Sequence, residues 1–377
     1  NNSNHSATET RMLNSTRRRF LGTAGLGAIS AVTGCLGGGS SVGDGSNDGG
    51  SGTSGADSGS PTGSSGSSSE LSFTSGPSNS LAFGMGNAMT SVIQDNSDLS
   101  INVASGTSGQ SVASIVTGGT DLGFSTTLVG MRAVNGEGTF SQIDSSRKLL
   151  QLPSFYFILL GGFVDVDSEY EQFGDLAGAS LGPGPSGASY WDVWELALQK
   201  ALSMEELEIQ SSGVNQLSDL LSADRATAVG GPTLSNNVTP GFMQQTLSQN
   251  TVRMLTYSDS TVQAIKEDPQ TPIVDVPKDM IENVDEYAAD GDTTPMVSAN
   301  YVLWTSDAVS SDVIYSLLKT AYDNTEALSE THAAFGVWSD DSWYTRNMTP
   351  EVPVHPGAVK FLKEIGVWSD EYTAGSI

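Results

Sequence analysis

A single cysteine, Cys35, stands in the whole chain, so an intramolecular disulfide or a cysteine-built metal cluster is excluded. Histidine is almost as scarce. His5, His332 and His355 are far apart, and no His, Asp or Glu set around them has metal-ligand spacing. No serine sits in a G-x-S-x-G elbow; Gly184-Pro185-Ser186-Gly187-Ala188 is the nearest approach and misses the last glycine. Walker A and dinucleotide fingerprints are absent as well. These lacks point away from an enzyme and imply no cofactor and no metal. Positive charge is the other shortage, with 16 Lys and Arg against 43 Asp and Glu in 377 residues. Four of the basic residues and one acid precede Cys35, which leaves the portion from Cys35 onward at −30. Such a surface repels nucleic acid and anionic lipid. It suits a high-salt environment, where ions screen the self-repulsion; the alternative is an ordinary acidic secreted protein. Long apolar runs are also missing. Leu149–Val164 is broken by Pro153, Gly161 and Gly162, so no segment has the ~20 apolar residues of a membrane-spanning helix.

What is present begins with an address. Ser15-Thr16-Arg17-Arg18-Arg19-Phe20-Leu21 resembles a twin-arginine export signal, and a short apolar run, Leu21 to Val32, follows it. The run ends at Val32-Thr33-Gly34-Cys35, which resembles a lipobox. Residues 1–35 are therefore expected to be a Tat-type lipoprotein signal cleaved before Cys35, with Met12 as an alternative start and the lipid on Cys35. Residues 36–69 are mostly Gly and Ser, bury nothing, and read as a flexible tether. The expected location is the outer face of the cell membrane, with the lipid as the only membrane contact.

The folded part, 70–377, alternates strands and helices. Leu71–Thr74 is strand-like, Ser75–Ser80 a loop, and Leu81–Gln94 has helical spacing. Leu99–Val103, the loop Ser105–Gln110 and a helix from Ser111 repeat the scheme, and Asp121–Thr127 is a third short strand ending in hydroxyls. Leu149–Val164 is either a buried strand pair or one long crossing strand. Ala179–Leu181 leads through Gly182–Gly187 into a helix from about Ala188 to Leu202. Further on, Val214–Leu221, Ser311–Asn324 and Pro356–Gly366 read as helices, with Ala226–Val229 and Ser298–Thr305 as strands. The alternation predicts α/β with largely parallel pairing, and the length suits two lobes. We expect one lobe over about 70–164 plus 296–377 and the other over about 165–295.

Three of the loops are rich in Gly, Ser and Thr, end a strand and open a helix. Backbone N–H groups and hydroxyls at the positive end of a helix dipole suit a carboxylate or other small oxyanion. Singly, each is more simply a helix cap; together they suggest a ligand cleft. The candidate ligand groups are Ser78, Asn79, Ser80, Ser105, Thr107, Ser108, Thr126, Thr127, Ser186 and Gly187. Tyr156, Tyr190 and Trp191 could form apolar walls, with core packing the competing role for the tryptophan. Trp338, Trp343 and Trp368 are expected to be local packing.

From about Leu71 to Tyr372 the chain resembles the TAXI family of solute receptors, which serve TRAP-type transporters. The resemblance is carried by Gly182-Pro183-Gly184-Pro185-Ser186-Gly187, by Ser105-Gly106-Thr107-Ser108 with Gly118-Gly119-Thr120-Asp121, and by the closing segment Val354-His355-Pro356-Gly357-Ala358 through Lys363-Glu364-Ile365-Gly366. It implies a type II periplasmic-binding-protein fold, two lobes around a ligand cleft. It also implies an extracytoplasmic receptor that delivers a small organic anion or amino acid to TRAP-type permease subunits. The chain departs from the family at Leu81-Ala82, where a Tyr pair is usual, at Thr126 in place of a glutamine, and at Ser111 in place of an asparagine. The ligand itself is therefore not carried over. An ABC-type receptor and a sensory substrate-binding lipoprotein are the alternatives.

Overall fold

A computed structural model describes residues 70–78 and 80–377. The signal, Cys35, the tether and Asn79 lie outside the described residues. The chain opens with β1 (Glu70–Ser75), α1 (Leu81–Asn96), β2 (Ser100–Ser105), α2 (Ser108–Thr117), β3 (Leu122–Thr126), α3 (Thr127–Asn135) and β4 (Leu149–Asp165). It continues with β5 (Ser180–Gly182), α4 (Ser189–Leu198), β6 (Glu208–Ile209), α5 (Leu217–Ser222), β7 (Ala228–Ser235) and α6 (Gly241–Gln249). Next come β8 (Val252–Met254), α7 (Asp259–Lys266), β9 (Ile273–Pro277), β10 (Glu286–Tyr287) and β11 (Thr293–Ser306). The last helices are α8 (Ser311–Asp323), α9 (Thr325–Thr331), α10 (Trp343–Arg346) and α11 (Pro356–Glu364).

The architecture is mixed α/β, built on one 11-stranded sheet with strand order β2-β1-β3-β11-β4-β7-β5-β6 along its main path. At one end β1 pairs parallel with β2 and β3; at the other, β5 pairs parallel with β6 and β7. Between them run β4 and β11, antiparallel to each other and to the strands they meet. At ~3.3 Å per residue the 17 residues of β4 span roughly 55 Å. One end of β4 therefore lies beside the partners of β3 while the other pairs with β7. Leu149–Val164 is thus one crossing strand rather than a pair. All its residues but Asp165 are buried, which is why it reads as a nearly continuous apolar run. Pro153 is tolerated because the register slips around it, Ser154 facing Val302 and Gln151 facing Trp304. Gly161 and Gly162 face Gly231 and Gly230 on β7. A Cβ on Gly162 would meet the Phe173 ring at 2.6 Å, and one on Gly230 the Gly161 carbonyl at 2.4 Å. Gly162 and Gly230 let the rings of Phe173 and Trp194 lie directly on the sheet.

Helix bounds differ from the sequence reading in two places that matter. Helix α2 begins at Ser108, not Ser111, because Thr107 and Gln110 form a capping box that extends it by a turn. Helix α4 ends at Leu198 rather than Leu202. Its last turn tightens, with Lys200 and Ala201 donating to carbonyls only three residues back. Trp338 and Trp343 are core residues, the Trp338 indole donating to the Phe155 carbonyl.

Candidate functional site

Three helix starts, those of α2, α3 and α4, come together beside the paired strands β4 and β11. Each follows a strand end, so each presents its positive pole in the same region. They differ in how their N–H groups are satisfied. In α2 the Thr107 hydroxyl accepts from Gln110 N–H at 3.3 Å. In α3 the fully buried Thr126 accepts from Val129 N–H at 3.4 Å. Helix α4 has Ala188 in the cap position and no side-chain cap at all. Leaving a start without a side-chain cap costs ~0.5–2 kcal/mol. Here Trp191 N–H turns back to the Ala188 carbonyl at 2.9 Å while Tyr190 N–H bonds the Tyr301 hydroxyl, so an acceptor entering the site would add to or compete with those two contacts.

Facing that start is a chain of hydroxyls drawn from three distant segments. Ser189, the first residue of α4, donates to the Ser108 hydroxyl at 2.8 Å and lies 2.9 Å from the Tyr301 hydroxyl. Tyr301 pairs in register with Tyr156, and their rings stack at 4.3 Å, 12° from parallel. Burial pushes the Tyr301 hydroxyl well above its ordinary range; the bonds from Ser189 and Tyr156 oppose the shift without cancelling it. Tyr156 is raised likewise by burial, with Tyr301 adding to it. Both phenols therefore stay protonated and can donate at any ordinary pH.

Beside this chain opens a cavity of about 280 Å³ whose walls include Thr107, Arg132, Glu137, Gly187, Ser189 and Asp192. Arg132 of α3 and Asp192 of α4 form an ion pair on its wall, Nη1 to Oδ1 at 3.5 Å, each roughly one third exposed. Burial raises the Asp192 carboxyl above its usual range, and the Arg132 guanidinium pulls it back in part.

Of the residues expected from sequence, Thr107, Ser108 and Gly187 belong to this meeting point, and Thr126 and Thr127 open α3 beside it. Ser78 is exposed and Ser80 caps α1, accepting from Phe83 N–H. Ser105 and Ser186 are exposed and do not line the cavity. Tyr156 is buried behind Tyr301. Tyr190 is buried too, and its hydroxyl donates to the Pro183 carbonyl at 2.9 Å, pinning the loop before α4. Gly184 in that loop has φ +93°, and a Cβ there would lie 2.6 Å from the same hydroxyl, so the position requires glycine. Trp191 is half-buried and packs edge-on against Trp194. Sequence reasoning missed Arg132, Ser189, Asp192 and Tyr301. A lone arginine in an otherwise apolar helix of so acidic a chain was the available signal for the first.

A larger cavity of about 620 Å³ lies beside α7 and is lined by Asp259, Asp275, Asp290 and Lys266 among others. Its one helix start is already capped by Ser258. It is the poorer ligand seat on chemical grounds. Among the described residues no His, Cys, Asp and Glu grouping could hold a metal, and no helix is long and apolar enough to cross a membrane. Both nitrogens of His355 are taken, Nδ1 by Gly357 N–H and Nε2 by the Val309 carbonyl.

A family model described as the NMT1-like family matches residues 73–366. No curated protein matches the chain. Among solved structures, the chain is similar to the periplasmic aliphatic sulphonate binding protein SsuA from Escherichia coli (TM-score 0.42, 11% identity, 78% of each chain covered). It is similar also to XAC2383 from Xanthomonas citri bound to ATP (TM-score 0.43, 12% identity, 79% of this chain and 95% of that one). A third is the P235GK mutant of ArgBP from T. maritima (TM-score 0.37, 12% identity, 71% and 94%).

Proposed function

We propose, from the premise that this chain belongs to the NMT1-like family, which is of periplasmic solute-binding type, that it is an extracytoplasmic receptor for a small carboxylate. The ligand, an organic anion or an amino acid, sits where α2, α3 and α4 begin. It passes from there to the membrane subunits of a TRAP-type transporter. The lobes on either side are 70–164 with 296–377, and 165–295. Cys35 carries the lipid that keeps the receptor at the outer membrane face, and the protein performs no catalysis of its own.

The observation that supports this reading best is the uncapped start of α4 set against the hydroxyls of Ser108, Ser189 and Tyr301. Neutral donors and a helix pole can hold an oxyanion without a counter-charge, and release it again. Calorimetry over a panel of dicarboxylates, 2-oxo acids and amino acids tests it. Hydrogen bonds to a charged group are worth ~1.5–3 kcal/mol, so Ser189→Ala should weaken the best ligand by roughly one to two orders of magnitude. Ser186→Ala, outside the cavity, serves as the comparison. Affinity lost with Ser186→Ala and kept with Ser189→Ala would move the ligand to the preceding loop. Uptake into vesicles carrying the permease should follow a sodium gradient; uptake that needs ATP instead would assign an ABC-type partner.

A further inference from the structure

Resting on that reading of the cleft, we infer that the ligand is a zwitterion, an amino acid or a close analogue, and that Arg132 and Asp192 select it over simple organic anions. The charges on the cavity wall carry the inference. One guanidinium, Arg132, is set against two carboxylates, Asp192 and Glu137, so the wall is net negative. The portion of the chain from Cys35 onward is at −30, which adds to that field. A plain anion would enter against it. On Arg132 it would also compete with Asp192, which lies 3.5 Å away with about two thirds of its side chain covered. Asp192 would then be left with neither cation nor full solvation, a costly state for a carboxylate.

A ligand carrying both charges avoids each cost. Its carboxylate can take the guanidinium and the uncapped N–H groups of α4, while its ammonium takes the carboxylate of Asp192. It enters as a neutral species, so the negative wall does not oppose it. The adjacency of the two side chains suits charges a few bonds apart, as in an α-amino acid. Arg132 and Asp192 come from different helices, so one such ligand would bridge α3 and α4 in place of the ion pair.

The test compares each of the common amino acids with the acid that lacks its amino group, for example L-leucine with 4-methylpentanoate and L-glutamate with glutarate. Calorimetry on the folded chain gives the ratio of affinities. The wild type should prefer the best amino acid to its matched acid by about tenfold or more. Asp192→Asn should narrow that preference several-fold from both sides, weakening the amino acid and strengthening the matched acid. A gain of affinity for the acid cannot come from misfolding. Arg132→Gln should weaken both ligands. A wild type that binds the acid as tightly as the amino acid overturns the inference and leaves the receptor reading standing. An Asp192→Asn protein with an unchanged ratio does the same. Binding of neither set overturns both.

Discussion

His355 shows how much one buried side chain contributes outside the ligand site. It has no exposed surface, it caps α11 through Nδ1, and it ties that helix to the loop after β11 through Nε2. Both bonds require the neutral ring with its proton on Nε2. A proton added to Nδ1 would face the Gly357 N–H, donor against donor. Burial accordingly lowers the His355 pKa, with the bond to Val309 opposing, and burial lowers that of the half-covered His332 too. A folded pKa below the unfolded value of about 6.5 means the unfolded chain takes up the proton first. The stability is thus complete above about pH 7 and declines as pH falls through 6.5 toward the lower folded value. Urea midpoints should drop between about pH 7 and pH 5, and His355→Gln should flatten that slope while lowering stability at pH 7 by ~1–3 kcal/mol. An equal slope in the variant would shift the effect to His332 or to the acids.

At the level of elements, the pairing of β4 and β11 organises everything else. It places Tyr156 beside Tyr301, sets β3 and β7 on its two sides, and so brings α3 and α4 together. Its glycine patch is a packing device, because a Cβ on Gly230 would collide both with the Gly161 carbonyl and with the Trp194 ring. Gly230→Ala would put a Cβ 2.4 Å from that carbonyl and 2.6 Å from the buried Trp194 ring, and neither the β4 backbone nor a fully buried indole can yield cheaply. A loss of ~2–3 kcal/mol is expected in chemical denaturation. Gly241 opens α6 with open space around it, so Gly241→Ala should instead gain up to ~1 kcal/mol. Equal effects at the two sites would show that glycine entropy, not the close strand approach, decides both.

For the molecule as a whole, charge is the dominant fact. Five ion pairs, those of Arg132, Arg147, Lys200, Arg253 and Lys319, are found among the described residues, while 42 acids follow Cys35. Most of the carboxylates among the described residues therefore have no basic partner. Simple screening is nearly complete by ~0.15 M salt. A protein adapted to high salt should show unfolding midpoints that keep rising from there to molar KCl; flat or falling midpoints would mark an ordinary acidic protein. Anchoring is tested at the same scale. Cys35→Ser should release the exported protein into the medium, and a variant still bound tightly to membranes would remove the lipid from the proposal.

The sequence alone determined what depends on neighbours along the chain. Strand and helix periodicity marked most elements up to β7 and the helices α8 and α11, and composition marked the missing chemistry. Local Thr, Gly and Ser patterns marked the loops that lead into α2 and α4, though the start of α2 was placed a turn late, because caps and tight turns involve residues only a few positions apart. The stretch from Ser235 to Val297, with α6, α7 and three short strands, carried too little periodicity to be parsed. The tertiary structure alone decided which hydroxyls meet. Ser108, Ser189 and Tyr301 lie 81 and 112 residues apart, and no local rule relates them. It decided likewise that Tyr156 and Tyr190 turn inward and that the start of α4 meets the hydroxyls of Ser108 and Tyr301. The pairing of Arg132 with Asp192 belongs to the same class. A long-range meeting of this kind is fixed by how two strands pair and what packs against them, and neither is written in any short window of residues.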